Sequence, residues 1–264
     1  MPRANRVAAY AAAFATAVRN GLAYPGELAV GCVFMVVIFF IFANLWPAAY
    51  AGREQVEGLT LAQLLIYLVA TETLVMTPRV WHVIQAEIRS GDVAIHWARP
   101  IDYGLWHLAG FLGEAVVRAP LTFAVGAAIV WLRTGELALS PAALVALPGF
   151  ALALVLTFAV ELVVGLSAFW TEDAAGWSLL VAMSRLLAGG VLMPLEMLPG
   201  WLAEALRWLP FPAMIYGPAR LLADPDPAAA AALLATQAAW LAVLGGIARL
   251  MLAAAQRRVF VHGG

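Results

Sequence analysis

The stretch LAVGCVFMVVIFFIFANLWPAAY, residues 28–50, runs for 23 positions without a charged residue. A transmembrane helix needs about 20 mostly apolar residues to cross the hydrocarbon core of a bilayer, so this stretch predicts one. The whole composition agrees, since 64% of the chain is hydrophobic and 12% is charged. Soluble domains carry roughly 25% charged residues. The predicted fold class is an all-α membrane protein.

Five more apolar segments follow the first, which predicts six transmembrane helices in one transmembrane domain of residues 1–264. Several segments contain an ionisable residue, and such residues usually face the protein interior because their insertion into lipid is unfavourable. The predicted spans are 28–50, 60–78, 104–132, 141–170, 174–192 and 228–255.

Six acidic or arginine residues lie within these spans, of which Arg249 is near the end of the last span and the other five lie deeper. Glu114 and Arg118 are four apart and share a helix face, which predicts a pair with a structural role. Glu161 and Arg185 are each twelve residues from Asp173, so a hairpin that turns there would bring them to similar depth as an interhelical pair. Glu72 has no partner in its own span, and two locations stay open for it, a subunit interface or, if the protein is a transporter, the translocation path.

Six spans put both chain ends on one side, and arginine counts choose that side. Eight arginines fall on the side of the termini and four on the other, which predicts cytoplasmic termini. Residues 1–24 carry a stripe of Val7, Tyr10, Phe14 and Val18 at helical spacing. This pattern predicts a helix in the membrane interface, and an ordinary alanine-rich soluble helix is the alternative.

Residues 79–103, here named the elbow, contain all but the last residue of the polar stretch EIRSGDVAIHWARPIDYG at 87–104. The first residues of the elbow can extend the second span. The pair Ser90-Gly91 predicts a turn, Asp92 is expected to cap a second short helix, and Arg99-Pro100 is expected to end it. A solvated hairpin is one interpretation; the apolar residues within the elbow favour a docking surface. The residues expected to serve docking are Glu87, Arg89, Gly91, Asp92, Arg99 and Pro100.

Residues 194–216 contain four prolines, which prevent one continuous helix. Yet Trp201, Leu206 and Trp208 make this segment too apolar for a free loop. Short re-entrant helices that dip into the outer leaflet, with tryptophans at headgroup level, are expected. A surface loop folded over the outer helix ends is the alternative, and both would form an external lid.

Four stretches, in chain order, resemble the permease subunit of a type-two ABC exporter of the small six-span branch. They are YPGEL at 24–28, the elbow sequence at 87–104, PLEMLPGWLAEALRWLPFPAMIYGPARLL at 194–222, and RRVFVHGG at 257–264. The resemblance implies that the elbow is the coupling helix region for a cytoplasmic ATPase, and that 194–216 are external re-entrant helices that close the exit.

The resemblance further implies two ATP-binding cassette ATPase subunits, a second permease subunit and surrounding lipid of a bacterial-type cytoplasmic membrane as partners. A sister chain is slightly preferred to an identical copy as the second permease. ATP and Mg²⁺ are expected on the ATPase and no cofactor on this chain, because a phosphate-binding loop of the Walker type requires a lysine and the sequence has none.

Other functional classes fit the sequence less well. A net charge of −1 offers no basic surface for nucleic acid, and the four histidines lack metal-ligand spacing, so no metal site and no catalytic residue are predicted. An ion-coupled secondary carrier with Glu72, Glu114 and Glu161 as proton sites is the alternative function, although the sequence lacks the inverted repeat typical of such carriers.

Overall fold

The computed structural model describes residues 3–50, 52–171 and 173–262, with side chains described for 6–50, 52–171 and 173–257. Helices account for 83% of the structure. Among the described residues no β-strand is present, and one isolated bridge joins Val56 to Leu59. The fold class is therefore all-α. Most of the predicted family stretch at 257–264 lies outside the described side chains.

Twelve α-helices are described, and short 3₁₀ turns precede α7 and α10, while a π-helical turn, Pro212–Tyr216, precedes α11. The helices are α1 Arg3–Ala23, α2 Pro25–Tyr50, α3 Leu61–Val75, α4 Trp81–Ser90, α5 Val93–Ala98, α6 Tyr103–Thr134, α7 Leu147–Leu166, α8 Ala168–Thr171, α9 Ala175–Ala188, α10 Gly200–Arg207, α11 Gly217–Ala223 and α12 Pro227–His262.

Within the described residues, four helical segments are long and apolar enough to cross a membrane, which makes the chain a multi-pass membrane protein. They are Pro25–Tyr50, Tyr103–Thr134, Pro141–Thr171 and Pro227–Arg257. The predicted second and fifth spans correspond to the shorter α3 and α9, with 15 and 14 residues. At 1.5 Å per residue such helices reach only about 22 Å, against about 30 Å of hydrocarbon. Six spans therefore stay a prediction.

The second apolar segment is interrupted between α3 and α4. The expectation that residues 79–89 extend the second span as one helix is wrong, because α3 ends at Val75 and α4 begins at Trp81. Pro78 lies in the gap and disfavours helical backbone at the residue before it. The elbow therefore begins at a joint in the chain and not at a helix that continues out of the membrane region.

Helix α3 lies at the centre of the fold, where it packs against α2, α6 and α11. Helix α1 packs along α6, and a side chain at Gly113 would collide with the carbonyl of Phe14. Helix α12 packs against α7 through a buried stripe with helical spacing. The members of that stripe are Ala230, Gln237, Leu244, Ala248 and Ala255.

The 194–216 segment folds as short helical pieces on top of this bundle. Met214 and Ile215 of its π-helical turn are fully buried, whereas Trp201 and Trp208 are 75% and 78% exposed. Leu206 is partly buried. Buried Gln237 of α12 donates hydrogen bonds of 2.9 Å to the carbonyls of Gly149 and Ala213, which fixes the π-helical turn to α7. A re-entrant location for the segment stays a prediction.

Candidate functional site

The elbow consists of α4 and α5, joined at a sharp turn. Gly91 has φ of +83°, a left-handed conformation that suits glycine because other residues carry a Cβ. The predicted turn at Ser90-Gly91 is confirmed. The predicted cap is wrong: Asp92 occupies the N-cap position of α5 but makes no capping hydrogen bond. Its backbone is helical, and its carboxylate accepts a 2.7 Å hydrogen bond from Ser90 Oγ instead.

The end of the elbow is fixed from two directions. Arg99 is extended, as expected before Pro100, and α5 stops at Ala98. Asp102 then caps α6, since its Oδ1 accepts a 2.8 Å hydrogen bond from the N–H of Leu105. The Asp102 N–H donates to Tyr10 Oη of α1 at 2.8 Å. Helix α1 therefore holds the junction between the elbow and α6, a contact that the sequence did not reveal.

Glu87 points into the elbow and joins three helices. Its Oε2 accepts a 2.7 Å hydrogen bond from Tyr103 Oη and lies 3.1 Å from His107 Nε2, while its Oε1 lies 3.6 Å from His96 Nε2. Burial acts to raise the pKa of Glu87, but the hydrogen bonds from His107 and Tyr103 outweigh it, so this pKa lies below its usual value. The ionised carboxylate holds α4, α5 and α6 together.

The other five residues predicted for docking are exposed on the elbow surface. Arg89 lies 4.0 Å from Asp173, in the turn before α9. Apolar side chains share this surface, for Val83 is 41% exposed and Ile95 55%. A cavity of about 440 Å³ opens between α4, α5 and α8. Its lining residues are Ile88, Arg89, Gly91, Val93, Ala94, Ala168 and Phe169.

The predicted pair of Glu161 and Arg185 is present. Arg185 Nη1 of α9 lies 3.6 Å from Glu161 Oε1 of α7, and both residues are buried. Glu72 is also buried, at 5% exposure, and no ion pair reaches it within the described part of the chain. Glu72 therefore lies inside this protomer and not on an outer face of it.

The predicted pair of Glu114 and Arg118 is present at 2.6 Å, and Arg118 also contacts Glu27 of α2 at 2.7 Å. The second partner was not predicted, because no sequence spacing relates α2 to α6. These three residues lie along a groove of about 1130 Å³ between α1, α2, α6 and the residues that join α3 to α4. The groove combines apolar side chains with this charged cluster and with further polar residues, Arg79 and His82 among them.

A polar network between the 194–216 segment and α11 was also missed. Glu196 Oε1 accepts hydrogen bonds from Tyr216 Oη and, at 3.2 Å, from Arg220 Nε. Arg220 Nη1 also donates to Asp224 Oδ2 at 2.9 Å. The network ties the 194–216 segment to α11. Only the apolar residues and prolines of that segment had suggested a structural role from the sequence.

Comparison with known families places most of the chain in one family. The family model described as ABC-2 family transporter protein matches residues 33–263. The match covers the elbow, the 194–216 segment and all four long apolar helices in whole or large part. A comparison with curated proteins found no match. The chain belongs to the ABC-2 transporter family and is a membrane permease of an ABC transporter.

Proposed function

We propose that this chain forms one half of the translocation path of an ABC exporter and receives its driving force at the elbow. The observation that carries the proposal is the mixed surface of the elbow, with exposed Arg89, Asp92 and Arg99 beside exposed Val83 and Ile95. Charges alone would suit a solvated hairpin. Apolar side chains next to them favour contact with another protein.

The docking partner is an ATP-binding cassette ATPase, one for each permease. Family membership implies such a subunit. The cavity between α4, α5 and α8 is concave and its walls are mainly apolar, which suits a side chain or helix end of the ATPase. ATP and Mg²⁺ bind to the ATPase, because the permease sequence contains no lysine for a phosphate-binding loop.

A second permease completes the path, and a sister chain is preferred to an identical copy. Helices α2 and α9 support the presence of a second permease, because both carry many exposed large apolar side chains. Lipid or a second permease would cover them. On this proposal the elbow and both termini face the cytoplasm of a bacterial-type inner membrane, and residues 194–216 are re-entrant and close the path outside.

The cargo is hydrophobic or amphipathic. The groove beside Glu27, Glu114 and Arg118 supports this assignment, since apolar and polar side chains, charged Arg79 among them, share its walls. An amphipathic molecule could place its apolar part against Phe34 and Phe111 and its polar part near the charges.

The test is co-purification of the chain with an ATPase encoded beside it, followed by reconstitution in vesicles. We expect a stable complex and accumulation of fluorescent amphiphiles that requires ATP hydrolysis. A chain that binds no ATPase, or transport that follows a proton gradient without ATP, would contradict the proposal.

A further inference from the structure

The joint between α3 and α4 leaves backbone polar groups without helical partners. Helix α3 ends at Val75 and α4 begins at Trp81. The last carbonyls of the first helix and the first N–H groups of the second therefore need other partners. Leu74 and Val80 are buried, at 2% and 8% exposure, and buried backbone groups are rarely left unpaired.

Two charged side chains from other helices supply these partners. Glu161 Oε2 of α7 accepts hydrogen bonds from the N–H groups of Val80, at 3.2 Å, and Trp81, at 3.4 Å. Arg185 Nη2 of α9 donates to the carbonyl of Leu74 at 3.1 Å, and this carbonyl also accepts a 2.9 Å hydrogen bond from the hydroxyl of Thr77. The Glu161–Arg185 ion pair thus spans the joint, and each member bonds to one of the two helix ends.

The direction of the pair agrees with the dipoles of both helices. A helix carries partial negative charge at its C-terminus and partial positive charge at its N-terminus. The Arg185 guanidinium stands at the C-terminus of α3, and the Glu161 carboxylate stands at the N-terminus of α4. Exchange of the two residues would keep an ion pair but would set each charge against a helix end of its own sign.

The same face of α7 also receives the body of α4. Gly165 lies one turn beyond Glu161, and a Cβ there would lie 2.7 Å from Cβ of Ile84. Only a residue without a side chain admits so close an approach of the two helices. Helix α4 is therefore held to α7 at two successive turns, whereas its covalent link to α3 is a non-helical stretch that includes Pro78.

We infer that Glu161 and Arg185 form a polarity-specific clamp that positions the elbow helix α4 on α7 and ties its start to α3 and α9. They are positioning residues for coupling. That role in coupling rests on the proposed function: a displacement of the elbow by an ATPase would reach α7 and α9 through the clamp, and not along one continuous second helix.

The test measures amide hydrogen exchange at single-residue resolution in the purified full-length chain. The N–H groups of Val80 and Trp81 should exchange more slowly than that of Arg79, for which no acceptor is described. Glu161→Gln, a variant of equal size, should speed exchange at both amides about tenfold, the ratio typical of a lost hydrogen bond to a charged group.

The decisive variant is the exchanged pair Glu161→Arg with Arg185→Glu, which should also exchange about tenfold faster. The control is the exchanged pair Glu204→Arg with Arg207→Glu on α10, an exposed ion pair of 3.6 Å, which should leave both amides unchanged. Parent-like protection in the exchanged Glu161–Arg185 chain would overturn the polarity claim. Should that chain fail to fold, two other results would overturn the clamp. One is unchanged exchange in Glu161→Gln. The other is a parent chain in which the amides of Val80 and Trp81 exchange as fast as the amide of Arg79.

Transport by the same variants in vesicles tests the coupling role separately. ATP-driven transport should fall at least about tenfold wherever the two amides are freed. Parent-level transport with freed amides would refute the role in coupling and leave the clamp intact. A parent chain that binds no ATPase would refute the proposed function, and the exchange result would still stand.

Discussion

Two apolar helices of almost equal length, α3 and α9, have opposite surroundings. Twelve of the 15 residues of α3 are buried, whereas only Arg185 and Ala188 are buried in α9. Large apolar side chains of α9 point outward, with Leu180 57% and Leu187 67% exposed. Mean hydropathy is high for both, so apolar character marks a membrane segment without specifying its neighbours. Helix α3 is held by packing, whereas α9 contributes buried Arg185 and Ala188 and the partly buried Val181 and Leu186.

The largest expected effect comes from that charged residue and its partner. Glu161→Gln leaves the Arg185 guanidinium buried and uncompensated, which should destabilise the fold by about 3–5 kcal/mol. Addition of Arg185→Gln to the same chain should partly restore the amount of folded protein, although α4 would still lack its clamp. The measurement is the yield of monodisperse protein and its thermal unfolding in detergent. Strict additivity of the two single losses would show that the residues do not interact in the fold.

Matched truncations in α3 and α9 test the comparison directly. Leu68 of α3 is fully buried, and Leu68→Ala should lower the free energy of unfolding by about 2–5 kcal/mol because it opens a cavity. Leu180→Ala in α9 removes the same atoms from an exposed site and should change the free energy of unfolding by less than about 0.5 kcal/mol. Thermal unfolding of both purified variants measures the difference. Equal losses would mean that α9 is packed inside the protomer as α3 is.

A smaller effect is expected at the link between the two regions. Tyr67 Oη of α3 donates a hydrogen bond to the carbonyl of Gly190, two residues beyond the end of α9. Tyr67→Phe should leave that carbonyl unsatisfied and destabilise by about 1–3 kcal/mol. Tyr24→Phe is the control, since Tyr24 is 65% exposed. If the two variants unfold at the same temperature, the Tyr67 hydrogen bond contributes nothing to the position of the segment after α9.

Cysteine labelling tests whether residues 194–216 are shielded by the membrane or exposed to water. Trp201 and the side chain of Asp224 are both exposed in the protomer, so the fold alone would let both react. If residues 194–216 are re-entrant, Trp201→Cys and Leu206→Cys should resist a membrane-impermeant thiol reagent in intact cells, and Asp224→Cys should react readily. The background should carry Cys32→Ala. Equal labelling at the three positions would reduce the segment to a surface loop.

The region around α3 and α9 also shows which parts of the structure could be predicted from the sequence. An uncharged stretch at 28–50 predicted α2, and equal spacing from Asp173 predicted the contact of Glu161 with Arg185, because both are local or hairpin relations. The bonds from Glu161 to Val80 and Trp81 join residues about 80 positions apart. They depend on the break in the chain near Pro78, which the sequence did not predict, since one span was expected through residues 60–78. No local pattern encodes such a contact.

In the elbow, too, the sequence predicted local features and missed contacts that depend on tertiary packing. Gly91 was predicted at the turn because few other residues tolerate a positive φ. The cap at Asp92 was wrong because the neighbouring Ser90 hydroxyl competes for its carboxylate. The contact of Glu87 with a partner protein stays a prediction, and the sequence did not predict that its carboxylate meets Tyr103 and His107. Those two residues lie on α6, and only tertiary packing brings them to Glu87.

The most direct test of coupling through the elbow is a change that alters its shape and nothing around it. Gly91→Val meets no neighbouring atom within 4 Å but strains a backbone held at φ of +83°. Charge reversal at Arg89 and Asp92 changes the same surface by a second route. We predict normal membrane insertion and permease pairing for both variants, with weak ATPase pull-down and no ATP-driven transport in vesicles. Parent-level ATPase binding and transport in both variants would contradict the account and leave the elbow a solvated hairpin.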